Sequence, residues 1–212
     1  MNEVFCRVAL PAGVMGFALA GLILPMIRHR LRHGQGTGFV IADVRDPVGK
    51  AVGVAMTTQS NFVGAYALAF AAFGAERMDV FAGVPAWLGP LGLGLLLFAI
   101  ALIVTAQAQM GRSWRMCIDE GHTQLVTSGL FGVVRNPIYL GTLILLWGVF
   151  LLAPSPWSAG LIFSGTMFVS IQARLEEAHL IRLHGAAYRA FAARVGRFLP
   201  GVGRLSKTAG EG

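Results

Sequence analysis

Charge is what this sequence has least of. Only 13% of its 212 residues are Asp, Glu, Lys or Arg, against about 25% in a typical soluble domain. That shortage excludes an ordinary water-covered surface. The 55% hydrophobic content points to a surface covered by lipid. Cysteine is almost missing: Cys6 and Cys117 are too few and too far apart for a disulfide framework. Cys117 falls in a stretch expected in the cytoplasm, where thiols stay reduced. No small-residue cleavage site follows the first apolar run, so an uncleaved first span is expected rather than a signal peptide. A Ser-His-Asp arrangement, an internal repeat and a second, soluble domain are also lacking. The net charge of +7 does not describe a nucleic-acid binder, because no reading module is present and the basic residues gather at the ends of apolar runs.

What the chain does contain is apolar runs. They cover Val8 to Ile27, about Val54 to Phe73, Trp87 to Ala106, Ile138 to Leu152 and Trp157 to Ile171. The last two are short against the ~20 residues of a straight crossing, and flanking residues extend them into a tight hairpin around Pro154, Ser155 and Pro156. Gly89, Gly92 and Gly94 permit close helix contact in the third run. The second run starts with Thr57, Thr58, Gln59, Ser60 and Asn61, read as an interfacial stretch rather than a cavity lining. Residues 34 to about 53 read as a loop with room for a short surface helix. From Gln172 to Leu199, apolar Leu175, Leu180, Leu183, Tyr188, Phe191 and Val195 alternate with Arg174, Arg182, Arg189, Arg194 and Arg197, the pattern of an amphipathic helix at an interface.

The expected fold is therefore all-α: an integral membrane helical bundle of about five transmembrane helices with a cytoplasmic amphipathic C-terminal helix. Its expected parts are three N-terminal spans over 1–104, a second region over 105–200 and a flexible tail over 201–212. Fifteen of the seventeen Lys and Arg fall in segments that five spans put on one side. Positive-inside then sets the N-terminus outside and the C-terminus in the cytoplasm.

Polar groups near membrane depth are expensive and mark function. One such place is Leu125-Val126-Thr127-Ser128-Gly129-Leu130-Phe131 followed by Arg135-Asn136-Pro137-Ile138-Tyr139-Leu140-Gly141. Pro137 suits the first turn of a helix, whose free N–H groups and positive end can receive a carboxylate. Phe131 and Tyr139 offer aromatic surface to a purine or a sulfonium. The other place is Glu176-Glu177. Adjacent helical residues point about 100° apart, so one carboxylate can meet a ligand's ammonium while the other pairs with an arginine; a solvated acidic pair is the plain alternative. His29 and His33 have i, i+4 spacing inside an arginine-rich boundary and read as an interfacial cluster, so no metal site is expected.

At these residues the sequence resembles the isoprenylcysteine carboxyl methyltransferase family and its wider group, which includes phospholipid N-methyltransferases. The shared features are L-V-T-S-G-x-F, R-N-P-x-Y-x-G, a two-span hairpin, E-E and a closing Y-R-x-F-x-x-R-V-x-x-F-L-P, over about residues 105 to 200. The resemblance implies S-adenosylmethionine as cofactor in a pocket at the cytoplasmic ends of the spans, in a bacterial inner membrane. By position it assigns Thr123, Gln124, Leu125, Val126, Phe131, Asn136, Pro137, Ile138, Tyr139 and Glu176 to cofactor binding, with Glu177 beside them. Arg135, Asn136, Tyr139 and Arg174 become the catalytic candidates. Asn136 stands where the family usually has histidine, which removes a titrating imidazole but keeps hydrogen bonding. The substrate arginine of eukaryotic members aligns with Gln172, and Arg174 is the nearby substitute.

The implied partners are the bilayer and a lipophilic small molecule or lipid with a carboxylate, thiol or amine acceptor, not nucleic acid; the sequence sets no oligomeric state. Two alternatives stand beside it: an NADPH-dependent membrane reductase of related architecture, and a non-enzymatic transport or assembly protein, which needs polar groups running through several spans.

Overall fold

The structure is a computed structural model and describes residues 1–33, 47–110 and 125–206. The described residues build helices, in the order α1 (Glu3–Phe17), a π-helical turn (Ala18–Ile23), α2 (Leu24–His33), α3 (Pro47–Arg77), α4 (Leu88–Met110), α5 (Leu130–Val133), α6 (Pro137–Leu152) and α7 (Pro156–Ala192). Glu3–Arg28 and Leu88–Met110 are long and apolar enough to cross a membrane, and Pro137–Leu152 is a shorter apolar helix.

Local chemistry sets the helix starts. Asn2 caps α1 by accepting the Phe5 N–H at 3.2 Å, and Glu3 complements the positive helix end. Pro137 and Pro156 open α6 and α7, where the missing N–H costs nothing. Two expectations need correction. Residues 47–53 are not loop but the first turns of α3, which runs to Arg77. The amphipathic tail begins as a continuation of the fifth apolar run and becomes a separate helical stretch only past Gly185, where φ is 51°, and it ends at Ala192 rather than at Leu199.

The core lies between α1, α3, α4, α6 and α7, with Leu10, Phe70, Leu96, Val149 and Leu152 fully enclosed. The closest crossing joins α4 to α6. A Cβ on Gly92 would stand 2.9 Å from the Gly148 carbonyl oxygen, and one on Gly148 would stand 2.9 Å from the Gly92 carbonyl oxygen. Of the three glycines expected at contacts, Gly89 meets Cys6 and Gly92 meets Gly148, while Gly94 faces open space. Gln59 also departs from the interfacial reading, since its Nε2 donates to the Leu161 carbonyl at 2.9 Å, across to α7.

The turn between α6 and α7 is a knot of neutral hydrogen bonds. Tyr66 Oη donates to the Ala153 carbonyl at 2.7 Å and lies 2.8 Å from Ser155 Oγ. Ser158 Oγ donates to the same carbonyl at 2.7 Å, and Ser155 and Ser158 form a reciprocal capping box at the start of α7. The opposite end of the α6–α7 hairpin carries the candidate site.

Candidate functional site

The site begins where the chain enters α6. Gly129 holds φ at 61° and introduces the short α5. Its first-turn cap comes from elsewhere: Gln109, at the end of α4, accepts the Leu130 N–H through Oε1 at 2.8 Å. Phe131 is buried, and Leu125 packs against Tyr188, Phe191 and Ala192 of α7. Past α5 the chain turns extended and pairs with the segment after α7. Arg135 N–H donates to the Gly196 carbonyl at 2.8 Å and Asn136 N–H to the Arg197 carbonyl at 3.1 Å. Gly196 is required there, because a Cβ would collide with the Leu199 carbonyl and the Val202 backbone.

Arg135 then turns inward, 4% exposed. Its Nε and Nη2 donate to Glu177 Oε1 at 3.2 and 2.7 Å. Nη1 donates to the carbonyls of Ala192 and Val195, and Nη2 also to that of Gly203. A guanidinium has five N–H donors, and all five are engaged. Glu177, also 4% exposed, receives Arg197 from the other side, through Nε at 3.0 Å and Nη2 at 2.7 Å. Burial alone would raise the Glu177 pKa, but the Arg197 and Arg135 hydrogen bonds and charges together hold it below the usual carboxylate range. Arg135 and Glu177, expected as catalytic and cofactor-binding residues, are thus committed to each other and to the backbone. This clamp ties the start of α6, the middle of α7 and the closing turn together.

Glu176 points the other way. Its Oε2 accepts the Tyr139 hydroxyl at 2.8 Å, from the first turn of α6. Burial pushes its carboxyl above the ordinary value; the Tyr139 hydrogen bond opposes that rise and the Glu177 charge adds to it. One turn earlier, Gln172 has a buried Oε1 with no hydrogen-bond partner. Pro137 is buried and Ile138 partly so. Asn136 sits at the α6 N-cap without capping it; its Nδ2 turns back to the Arg197 carbonyl at 3.3 Å.

The structure therefore brings together Asn136, Pro137, Tyr139 and Glu176, with Arg135 and Glu177 behind them. Arg174 lies on the exposed face of α7, outside this group. Val126 is partly buried, and Thr123 and Gln124 lie outside the described residues. Sequence reasoning missed two members. Arg197 reads as part of the basic face of an interfacial amphipathic helix and instead completes the clamp. Gly196 carried a signal only in hindsight, as a lone glycine between Val195 and Arg197 where the helical pattern stops.

This arrangement fits an amino-acid-bearing sulfonium cofactor. Glu176 and the unpartnered Gln172 oxygen are acceptors for an ammonium group. The α6 start, with no side chain capping it, suits a carboxylate. Tyr139 supplies an aromatic face.

Comparison with known proteins gives a consistent set. Residues 88–187 match the family model described as phospholipid methyltransferase. A methanethiol S-methyltransferase of Pseudomonas sp. (strain GM41(2012)) is 31% identical over 116 residues, covering 52% of this chain and 43% of that protein. Protein-S-isoprenylcysteine O-methyltransferase B of Arabidopsis thaliana is 31% identical over 121 residues, covering 55% of this chain and 61% of that protein. The matches thus span about half the length of these curated relatives. Among solved structures, the eukaryotic intramembrane Ras methyltransferase (isoprenylcysteine carboxyl methyltransferase) superposes with a TM-score of 0.57 at 17% identity, over 94% of this chain and 71% of that one. At that identity the likeness is one of fold.

Proposed function

We propose that this chain, whose residues 88–187 match the phospholipid methyltransferase family model, transfers a methyl group from S-adenosylmethionine to a lipophilic acceptor at the Tyr139–Glu176 end of the bundle. The observation that carries the reading is the 2.8 Å hydrogen bond between Tyr139 and Glu176. It joins two residues from separate helices, each of which the family resemblance assigns to cofactor binding.

When bound, the cofactor supplies an electrophilic methyl group for in-line displacement. The protein's part is alignment and exclusion of water. Glu176 and Gln172 hold the ammonium end. The α6 start at Asn136, Pro137 and Ile138 holds the carboxylate, and Tyr139 and Phe131 flank the ring or sulfonium. Leu125 and Val126 line the cofactor. Arg135, Glu177 and Arg197 act through their neighbours and keep the α6 start registered against α7. No described residue need take a proton for a thiolate or carboxylate acceptor; an amine must arrive neutral.

The same reading has five crossings, by α1 with α2, α3, α4, α6 and α7 as far as Ile171. The N-terminus is outside and the C-terminus in the cytoplasm of a bacterial inner membrane. An apolar acceptor enters from the bilayer and the cofactor from the cytoplasm. The acceptor bears a thiol, carboxylate or amine; the relatives named above act on methanethiol and on isoprenylcysteine. None of those relatives is a reductase, and nothing in the site favours that alternative.

Calorimetric titration of the purified protein with S-adenosylhomocysteine and with NADPH tests the reading. Binding of the first alone is expected, and Glu176→Ala should weaken it about 10- to 100-fold, as loss of a charge-assisted hydrogen bond does. NADPH binding, or an unchanged affinity in Glu176→Ala, would overturn it. Labelled methyl donor added to native membranes then identifies the acceptor from the extracted product.

A further inference from the structure

From Ala178 to Gly210 the sequence has no Asp or Glu, yet it carries Arg182, Arg189, Arg194, Arg197, Arg204 and Lys207. Arg197 is spent on Glu177, but Arg189, Arg194 and Arg204 are exposed. Between them the chain makes a tight turn. Gly201 and Gly203 hold φ at 77° and 72°, a region where a side chain is strained, and Arg197 N–H closes the turn on the Val202 carbonyl at 2.8 Å. The turn directs two large apolar side chains outward: Leu199 is 55% exposed and Val202 is 61% exposed. It is not a loose loop, because the buried Arg135 donates to the Gly203 carbonyl at 3.0 Å. A rigid apolar tip flanked in sequence by exposed cations, with the Arg204 side chain against Gly201 of the turn itself, has no stabilising partner in water.

The depth of this tip follows from α7. Glu177 lies 21 residues beyond Pro156, so a rise of 1.5 Å per residue puts it about 32 Å along the helix from the hairpin turn. The hydrocarbon core is about 30 Å thick. Glu177 also lies six residues past Ile171, where the apolar run of α7 ends, so the clamp and the turn bonded to it sit just outside the hydrocarbon, at the level of the headgroups.

We propose that the Leu199–Gly203 turn is a foot on the membrane surface, with Leu199 and Val202 dipping into the headgroup layer while Arg189, Arg194 and Arg204 bind anionic lipid phosphates. The occupant is a lipid surface because an exposed apolar tip, a segment with basic but no acidic side chains, and depth coincide. The inference rests on the chain spanning a bilayer, not on the identity of the methyl donor.

The test uses the full-length protein in nanodiscs. Val202→Cys, in a background without Cys6 and Cys117, carries a nitroxide label. Its collisions with oxygen and with a water-soluble nickel chelate report depth. In discs of phosphatidylcholine with phosphatidylglycerol, oxygen contact should dominate. Phosphatidylcholine alone should shift the label toward water, and so should the Arg194→Gln, Arg204→Gln double substitution in mixed discs. A label in water in both lipids overturns the foot. A label equally immersed in both overturns the recognition of anionic headgroups. S-adenosylhomocysteine binding measured on the same discs keeps the tests separate, since its loss with the label still immersed speaks only against the enzymatic reading.

Discussion

At the hairpin turn, Tyr66, Ser155 and Ser158 close the bundle with neutral hydrogen bonds around the Ala153 carbonyl. At the opposite end, Arg135 and Arg197 close it by sharing the buried carboxylate of Glu177. Both ends are buried and polar, but they fail differently. A neutral network that loses a member forfeits a modest hydrogen bond, while a buried ion cluster that loses a member leaves an uncompensated charge. The charged end also reaches further. Arg135 alone joins α6, α7 and the closing turn through side chain and carbonyls. Fixing those three pieces leaves Glu176, next in sequence to Glu177, directed at Tyr139. The neutral end holds helices together, and the charged end also registers a site.

The comparison can be broken most forcefully at Glu177. Glu177→Ala should cost about 3–5 kcal/mol, the range for orphaning a buried ion partner, seen as a lowered melting temperature in detergent. Replacing Arg135, Glu177 and Arg197 together by apolar residues should recover much of that loss but not cofactor affinity. Recovery of both would mean that the clamp positions nothing. Gly196→Ala comes next, at about 1–3 kcal/mol. Its Cβ forces the closing turn off Arg135, so proteolysis after Val195 should accelerate.

Acidification sharpens the contrast with a smaller effect. The folded-state pKa of Glu177 lies below its ordinary value, so its contribution is complete above the unfolded carboxylate pKa and is lost as pH falls through the folded value. Melting temperature should drop with acid in the native chain and much less in Glu177→Gln. Smallest is Tyr66→Phe at the neutral end, expected to cost about 1–2 kcal/mol and to leave S-adenosylhomocysteine affinity unchanged. A matching fall in affinity there would dissolve the distinction between the ends.

Much of this could be read from residue order. Pro137 as a helix start and the α6–α7 hairpin follow from local rules of capping and length, whereas Pro156 reads as turn until α7 is seen to begin there, and charge cost alone leaves Glu176-Glu177 open to being a solvated pair. The two carboxylates even divide as a 100° offset requires, one on Tyr139 and one on arginines. What stayed hidden were the partners. Arg197 fits the spacing of an interfacial helix's basic face as well as it fits a clamp, because periodicity records direction around one helix and α7 has ended before Arg197. Gln109 looks like the polar exit of α4, and its cap on α5 spans 21 residues. Gln59 looks interfacial, and its bond to Leu161 crosses 102 positions.

The sequence by itself determined the lipid-covered surface, the helical class, the hairpin and the short polar list from which a site is drawn. Each is a property of neighbouring residues measured against water or lipid. Only the tertiary structure decided that Arg135 is spent on Glu177, that Arg197 joins it, and that Glu176 remains to meet Tyr139. A guanidinium's five donors are allotted by which carbonyls and carboxylates folding brings within 3 Å or so, and no local pattern encodes that distance.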